Sequence, residues 1–203
     1  MRIKNILIYG SAHLTQEACK LLKDHYNLVG HIPSVNPVIA GKMDLPIVDD
    51  SINHDIKLSI QYNRKIKNTE KSFNIHTGLL PSWGGVDILY HTVKAKKLLG
   101  NHFSEQGLTF HKMTEKFDHG ANISKVTYPL IEEDTIESLY DKVLACLPAF
   151  TLSGLKLLES IDEENLNKSE ISCPTIYKRG KIDPNDTEMY SKTLSNLKKH
   201  ETI

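Results

Sequence analysis

The chain contains little cysteine, with Cys19, Cys146 and Cys173 the only three in 203 residues. They share no short spacing, so they build neither a zinc motif nor a Cys-x-x-Cys redox pair. They read as reduced thiols of a cytoplasmic protein. An excess of either charge is also missing, since 25 Lys plus Arg stand against 25 Asp plus Glu. Without a net field the chain has no global means of drawing in nucleic acid. No apolar run reaches the roughly 18–20 residues of a membrane span. Met1 to Asn5 leads straight into a strand pattern, without the apolar core of a signal peptide. No Gly-x-Gly-x-x-Gly follows that strand, so a dinucleotide fingerprint is not supported. His91, His102, His111 and His119 have no ligand spacing and no cysteine beside them, and no metal is expected.

What is present is an α/β pattern in a chain long enough for one domain and a small appendage. We place the boundary between 1–165 and 166–203. Ile3 to Tyr9 is a nearly continuous apolar run, suited to a strand covered on both faces. Gly10-Ser11 breaks it, and Leu14, Ala18, Leu21 and Leu22 recur at helical spacing before a strand at Leu28 to Ile32. Further strands are expected at Lys57 to Tyr62 and Ser72 to His76, and a helix over Gly84 to Leu99 stopped by Gly100. Leu108 to Met113 and Ala121 to Leu130 flank the loop Thr114 to Gly120 as an antiparallel extension. Asp134-Thr135-Ile136-Glu137 approximates a capping box for a last helix, which Pro148 should kink or interrupt. The fold class is therefore a mostly parallel sheet with an antiparallel extension, flanked by helices.

The stretch that carries chemistry is Phe73-Asn74-Ile75-His76-Thr77-Gly78-Leu79-Leu80-Pro81. Phe73 and Ile75 alternate with Asn74 and His76, which puts the amide and the imidazole together on the face away from the core. An amide donor beside a titratable ring can stabilise an oxyanion and move a proton. Alone the pair says little, because a strand-edge histidine is ordinarily satisfied by a backbone carbonyl. Asp118-His119-Gly120 alone is likewise an ordinary turn.

Together they say more. Asn74-x-His76-x-x-Leu79-Leu80-Pro81, then Gly107-Leu108-Thr109-Phe110-His111 and Asp118-His119-Gly120, resembles the folate-dependent formyltransferase family. The resemblance runs from about Leu58 to Leu130, with Thr77-Gly78 departing from the commoner Pro-Ser after the histidine. It implies a Rossmann-like fold and formyl transfer from 10-formyltetrahydrofolate, a co-substrate, to a primary amine. Asn74 and His76 would stabilise the tetrahedral oxyanion. Asp118 would hold the imidazole charged and relay protons through water. Gln61, Tyr62, Asn63, Phe117 and Asp118 are implied for the folate, and Trp83, His111, Tyr177 and Arg179 for the acceptor. Core packing is the default role of Trp83. The favoured acceptor is a nucleotide-linked amino deoxy sugar, a small-molecule partner, with a homodimer as the expected assembly. Phosphoribosylglycinamide formyl transfer and a non-catalytic folate- or nucleotide-binding module stay open as alternatives.

Overall fold

Strand β1 (Asn5–Tyr9) forms from the first apolar run and is followed by helix α1 (His13–Leu22) and strand β2 (Asn27–Ile32). Strands β3 (Ile56–Ile60) and β4 (Ser72–His76) come next, then a two-residue strand β5 (Gly84–Gly85) and helix α2 (Ile88–Leu99). Strands β6 (Glu105–Lys112) and β7 (Asn122–Pro129), helix α3 (Ile136–Ser160) and a short β8 (Ile176–Tyr177) complete the elements. In this computed structural model the described residues are 2–34, 43–62, 64–162 and Leu166, with the backbone of Ile176 and Tyr177. Six strands make one sheet in the order β2-β1-β3-β4-β6-β7. The first four run parallel, and β6 is antiparallel to both β4 and β7.

The two faces of this sheet differ in character. Ile8, Leu58, Ile60, Phe73, Ile75 and Phe110 point to one face and join Leu14, Leu22, Ile88, Val143 and Leu155 of the three helices in a single apolar cluster. Burying each such side chain contributes about 1.5–3 kcal/mol, so this face carries most of the stability. Leu166, the first residue of the expected appendage, is buried in the same cluster. On the other face Leu7, Tyr9 and Ile66 form a smaller apolar group, with Val29, Ile32, Val48, Ile52, Tyr62 and Met113 packed against it. The rest of that face is polar, with Lys57 and Ser59 on β3, Asn74 and His76 on β4, and Thr109 and His111 on β6. Register aligns them, Ser59 opposite Asn74, Asn74 opposite His111, and His76 opposite Thr109.

Five sequence expectations shift. The second helix starts at Ile88, not Gly84, because Gly85 (φ 106°) and Asp87 (φ 56°) take left-handed conformations that a helix cannot contain. Strand β3 stops at Ile60, where Gln61 turns the chain with φ 53°. Helix α3 runs unbroken through Pro148. Leu147, Phe150, Thr151 and Leu155 bury one stripe across that position, and the Thr151 hydroxyl donates to the Leu147 carbonyl (2.7 Å). The capping box forms one residue later than expected, between Thr135 and Ser138. Asp134 instead accepts from the Ile131 N–H and from Lys142. By length and mean hydropathy (1.3 over its best window) α3 could also cross a membrane, contrary to the sequence expectation, but it packs its apolar stripe against the sheet.

Gly107 marks a close approach of β6 to β7, since a Cβ there would lie 2.0 Å from the Val126 carbonyl oxygen and 2.8 Å from Leu79. Gly107→Ala should therefore destabilise the fold by about 2–3 kcal/mol through overpacking against backbone. Urea unfolding with an unchanged slope checks this, and a loss within about 0.5 kcal/mol would show that the strands can part.

Candidate active site

Asn74 and His76 reach the polar face because the pleat sends Phe73 and Ile75 into the core. Antiparallel pairing brings His111 opposite Asn74, and the Asn74 amide nitrogen lies 3.1 Å from His111 Nε2. His111 Nδ1 donates to the Lys112 carbonyl (2.9 Å), which leaves Nε2 as the acceptor for the Asn74 amide. This fixes which end of the amide is nitrogen. His76 uses Nε2 to donate to the Trp83 carbonyl (2.6 Å), so Nδ1 faces Asp118 Oδ1 at 3.7 Å. The same oxygen is 3.7 Å from His111 Nε2. The other carboxylate oxygen accepts the Gly85 N–H at 2.7 Å. Asp118 holds this place with φ 59°, a left-handed conformation that Asp tolerates better than most residues.

Burial pushes the His111 imidazole down, to about 4, against the opposing pull of Asp118. At neutral pH this ring is therefore uncharged, in keeping with its role as acceptor. Behind His76, the turn from Gly78 to Pro81 is held by buried side chains. Gln106 accepts from the Leu79 N–H, and Thr109 accepts from the Leu80 N–H while donating to the Gly78 carbonyl. The Leu80–Pro81 peptide is cis.

Asn74, His76, His111 and Asp118 line one cavity of about 790 Å³. Its other lining residues come from two sets of segments, Gln61, Tyr62, Arg64, Ile66 and Met113 following β3 and β6, and Val86, Asp87, Leu89, Tyr90 and Ile136 at the starts of α2 and α3. Phe117, 62% exposed, stands at the rim. Of the expected residues, Asn74, His76, Asp118, Gln61, Tyr62, Phe117 and His111 all line this cavity. Trp83 does not, and the acceptor role suggested for it is corrected. Trp83 is 1% exposed and its ring stacks on Phe103 (centroids 5.0 Å apart), while its carbonyl accepts from His76. Asn63, Arg179 and the Tyr177 side chain lie outside the described residues, although the Tyr177 backbone pairs with Gly85. Val86, Asp87 and Tyr90 were missed. For Val86 and Tyr90 the signal was present as apolar residues on the solvent side of a helix start, where they remain 44% and 40% exposed. Among the described residues no group of three His, Cys, Asp or Glu is placed to hold a metal ion.

Residues 66–150 match the formyl transferase family. The chain is 35% identical over 102 residues to a bifunctional polymyxin resistance protein ArnA of Wigglesworthia glossinidia brevipalpis, covering 50% of this chain and 14% of that protein. It is 29% identical over 118 residues to a methionyl-tRNA formyltransferase of Thermosipho melanesiensis, covering 56% and 37%. The chain thus spans well under two thirds of these relatives. Among solved structures, a sugar 3N-formyl transferase, WlaRD, crystallised with dTDP and 5-N-formyl-THF, superposes with TM-score 0.68 at 20% identity, covering 90% of this chain and 72% of that one. An N-formyltransferase of Helicobacter canadensis, in complex with folinic acid and dTDP-3-aminofucose, gives 0.66 at 19%, covering 95% and 81%. A phosphoribosylglycinamide formyltransferase of Anaplasma phagocytophilum gives 0.62 at 21%, covering 78% and 88%. At these identities the structural likeness establishes the fold, a mostly parallel Rossmann-like sheet with an antiparallel extension.

The depressed His111 value sets a pH dependence. Its folded-state value lies below the unfolded one, so the folded state binds that proton less readily. The stability that a neutral His111 provides is complete above about pH 6.5 and is lost as the pH falls towards about 4. The melting temperature should decline through that window in the natural chain and less steeply in His111→Gln. An NMR signal of the His111 ring that titrates near 6.5 would contradict this.

Proposed function

We propose that this chain, whose residues 66–150 match the formyl transferase family, moves the formyl group of 10-formyltetrahydrofolate to the primary amine of a nucleotide-linked amino deoxy sugar. The observation that carries the transfer is the convergence of Asn74, His76 and Asp118 on one cavity wall. In this reading the amine nitrogen attacks the formyl carbon, and the carbonyl oxygen takes the negative charge. Asn74 has one amide N–H committed to His111, which leaves the other to donate to that oxygen. His76 lies two residues along the same strand, and its Nδ1, on the Asp118 side, can hold the proton that stabilises the developing charge. Collapse breaks the bond between the formyl carbon and the folate nitrogen. That nitrogen takes a proton as the former amine gives one up, and Asp118 passes it on through water. No covalent bond to the protein is required. One well-placed oxyanion donor is worth about 2.7–4 kcal/mol, so two such groups supply a large share of the barrier lowering.

Support for the acceptor comes from the two sugar-directed enzymes that superpose over most of this chain, crystallised with dTDP or a dTDP-linked amino sugar. The phosphoribosylglycinamide reading has a comparable fold behind it. Gly10 to His13, after β1, is where a helix N-terminus could take a phosphate, yet it contributes nothing to the cavity wall.

Two outcomes test these statements. With 10-formyltetrahydrofolate and a panel of dTDP- and UDP-linked 3-amino and 4-amino deoxy sugars, mass spectrometry should show formylation of at least one. Faster formylation of glycinamide ribonucleotide than of every sugar would reverse the assignment. Separately, His76→Ala and Asp118→Asn should each lower turnover by orders of magnitude while binding of folinic acid changes far less, because their interactions strengthen in the transition state. The double variant should be little worse than the worse single one. A folded Asp118→Asn enzyme with most of its activity would break the proposed trio, and a folate- or nucleotide-binding module would become the better reading.

A further inference from the structure

Lys57 is the buried charged residue of the sheet that the chemistry above does not use. It lies on β3, on the face of Ser59, Asn74 and His76, opposite Ser72 of β4, and is only 5% exposed. Lysine is rarely so buried, because taking an ammonium from water is costly unless it is paired and its N–H groups are satisfied. Here they are. Nζ donates to Asp50 Oδ2 at 2.8 Å and to the carbonyls of Asn68 and Lys67 at 3.3 and 3.4 Å.

Both ends of this arrangement lead to the cavity. The other oxygen of Asp50 accepts the Tyr9 hydroxyl at 2.6 Å. Burial pulls the Asp50 carboxyl up, but hydrogen bonds from Lys57 and Tyr9 outweigh this and hold it below the ordinary carboxylate range. The Tyr9 ring meets Tyr62 edge-on, with centroids 5.1 Å apart, and Tyr62 lines the cavity. In the other direction, the Lys67 and Asn68 carbonyls belong to the turn that contributes Arg64, Lys65, Ile66 and Thr69 to the cavity wall. Asn68 and Lys71 have φ of 53° and 52°, so this turn is not shaped by regular pairing. An apolar residue at position 57 could fill the volume, but it would leave both carbonyls without the ammonium that fixes them.

We propose that Lys57, paired with Asp50, is a positioning residue that fixes the turn at 64–69 and Tyr62 as the folate-side wall of the cavity. The assignment of that wall to folate rests on the function proposed above. Lys57 touches no reacting atom. Its removal should loosen the wall and weaken folate binding without displacing Asn74, His76 or Asp118.

Calorimetry with folinic acid on the full chain tests this in the natural protein, Lys57→Met and Asp50→Asn, alongside thermal unfolding and hydrogen–deuterium exchange. Lys57→Met should weaken binding roughly tenfold, or about 1.4 kcal/mol, and Asp50→Asn by less. Exchange should quicken over residues 64–71 and stay unchanged in β6. Equal affinities in a natural protein that binds would overturn the proposal, even with a lower melting temperature, and leave the formyl-transfer reading standing. Should Lys57→Met not fold, Asp50→Asn decides, since the Asp50 side chain is 40% exposed and its replacement leaves the strand intact. A natural protein that does not bind folinic acid would overturn both readings at once.

Discussion

Asp118 reaches the polar face of the sheet only from a left-handed backbone, and that conformation holds because its carboxylate has somewhere to go. One oxygen takes the Gly85 N–H, and the other lies between the rings of His76 and His111. Gly85 can offer that N–H because its own φ of 106° turns the chain out of helix before α2 begins. Two residues on, Gly120 has a different reason to be glycine. A Cβ there would fall 1.7 Å from the Lys112 carbonyl oxygen, where the loop closes back on β6. The Asp-x-Gly sequence thus satisfies two separate demands, one conformational and one of close approach. Remove either and the carboxylate no longer meets the histidines.

A sheet with one apolar face and one polar face divides stability from chemistry. The helix-covered face gathers most of the buried hydrocarbon. The opposite face can then hold buried Lys57, His76, Thr109 and His111, each bonded to a partner, without the whole depending on them. A buried polar group left unpaired costs about 1–3 kcal/mol, so each of these four requires the bond it makes. That requirement also gives direction. The Asn74 amide is oriented by His111, His111 by the Lys112 carbonyl, and His76 by the Trp83 carbonyl, so the second amide N–H of Asn74 and Nδ1 of His76 are left on the cavity side.

Much of this could be read from the residues. The alternation of Phe73 and Ile75 with Asn74 and His76 reports a strand with one core face, because that period follows from backbone geometry whatever the tertiary fold. The antiparallel extension and the loop bearing Asp118 were legible for the same reason. Trp83 was not, since a lone aromatic beside a site looks the same in sequence whether it lines the cavity or backs it. Val86, Asp87 and Tyr90 escaped because a helix was expected to begin before them, and only left-handed backbone at Gly85 and Asp87 moves its start to Ile88. Lys57 read as one polar residue in a strand. Its partners lie at Asp50, Lys67 and Asn68, on segments with no periodicity, so nothing local announces them.

The two sides of the cavity are built from different parts of the chain, and this separates their tolerances. The side of Gln61, Tyr62 and Ile66 rests on the sheet through Tyr9 and Lys57. The side of Val86, Asp87 and Tyr90 rests on the start of α2 and on β5, whose partner strand β8 comes from far along the chain. Asn74, His76, His111 and Asp118 stand at the junction and are fixed by strand register and by the Gly85 N–H. A change at the start of α2 therefore reshapes one side without disturbing the turn braced by Lys57. Changes near Asp50 and Lys57 act on the other side and leave the α2 start in place. The Gly85 N–H is where the halves meet, because β5 shapes the α2 side and holds the Asp118 carboxylate with the same short segment. Substitutions that move β5 should consequently reshape the α2 side and release the Asp118 carboxylate together, whereas those at Val86 or Tyr90 can reshape that side alone.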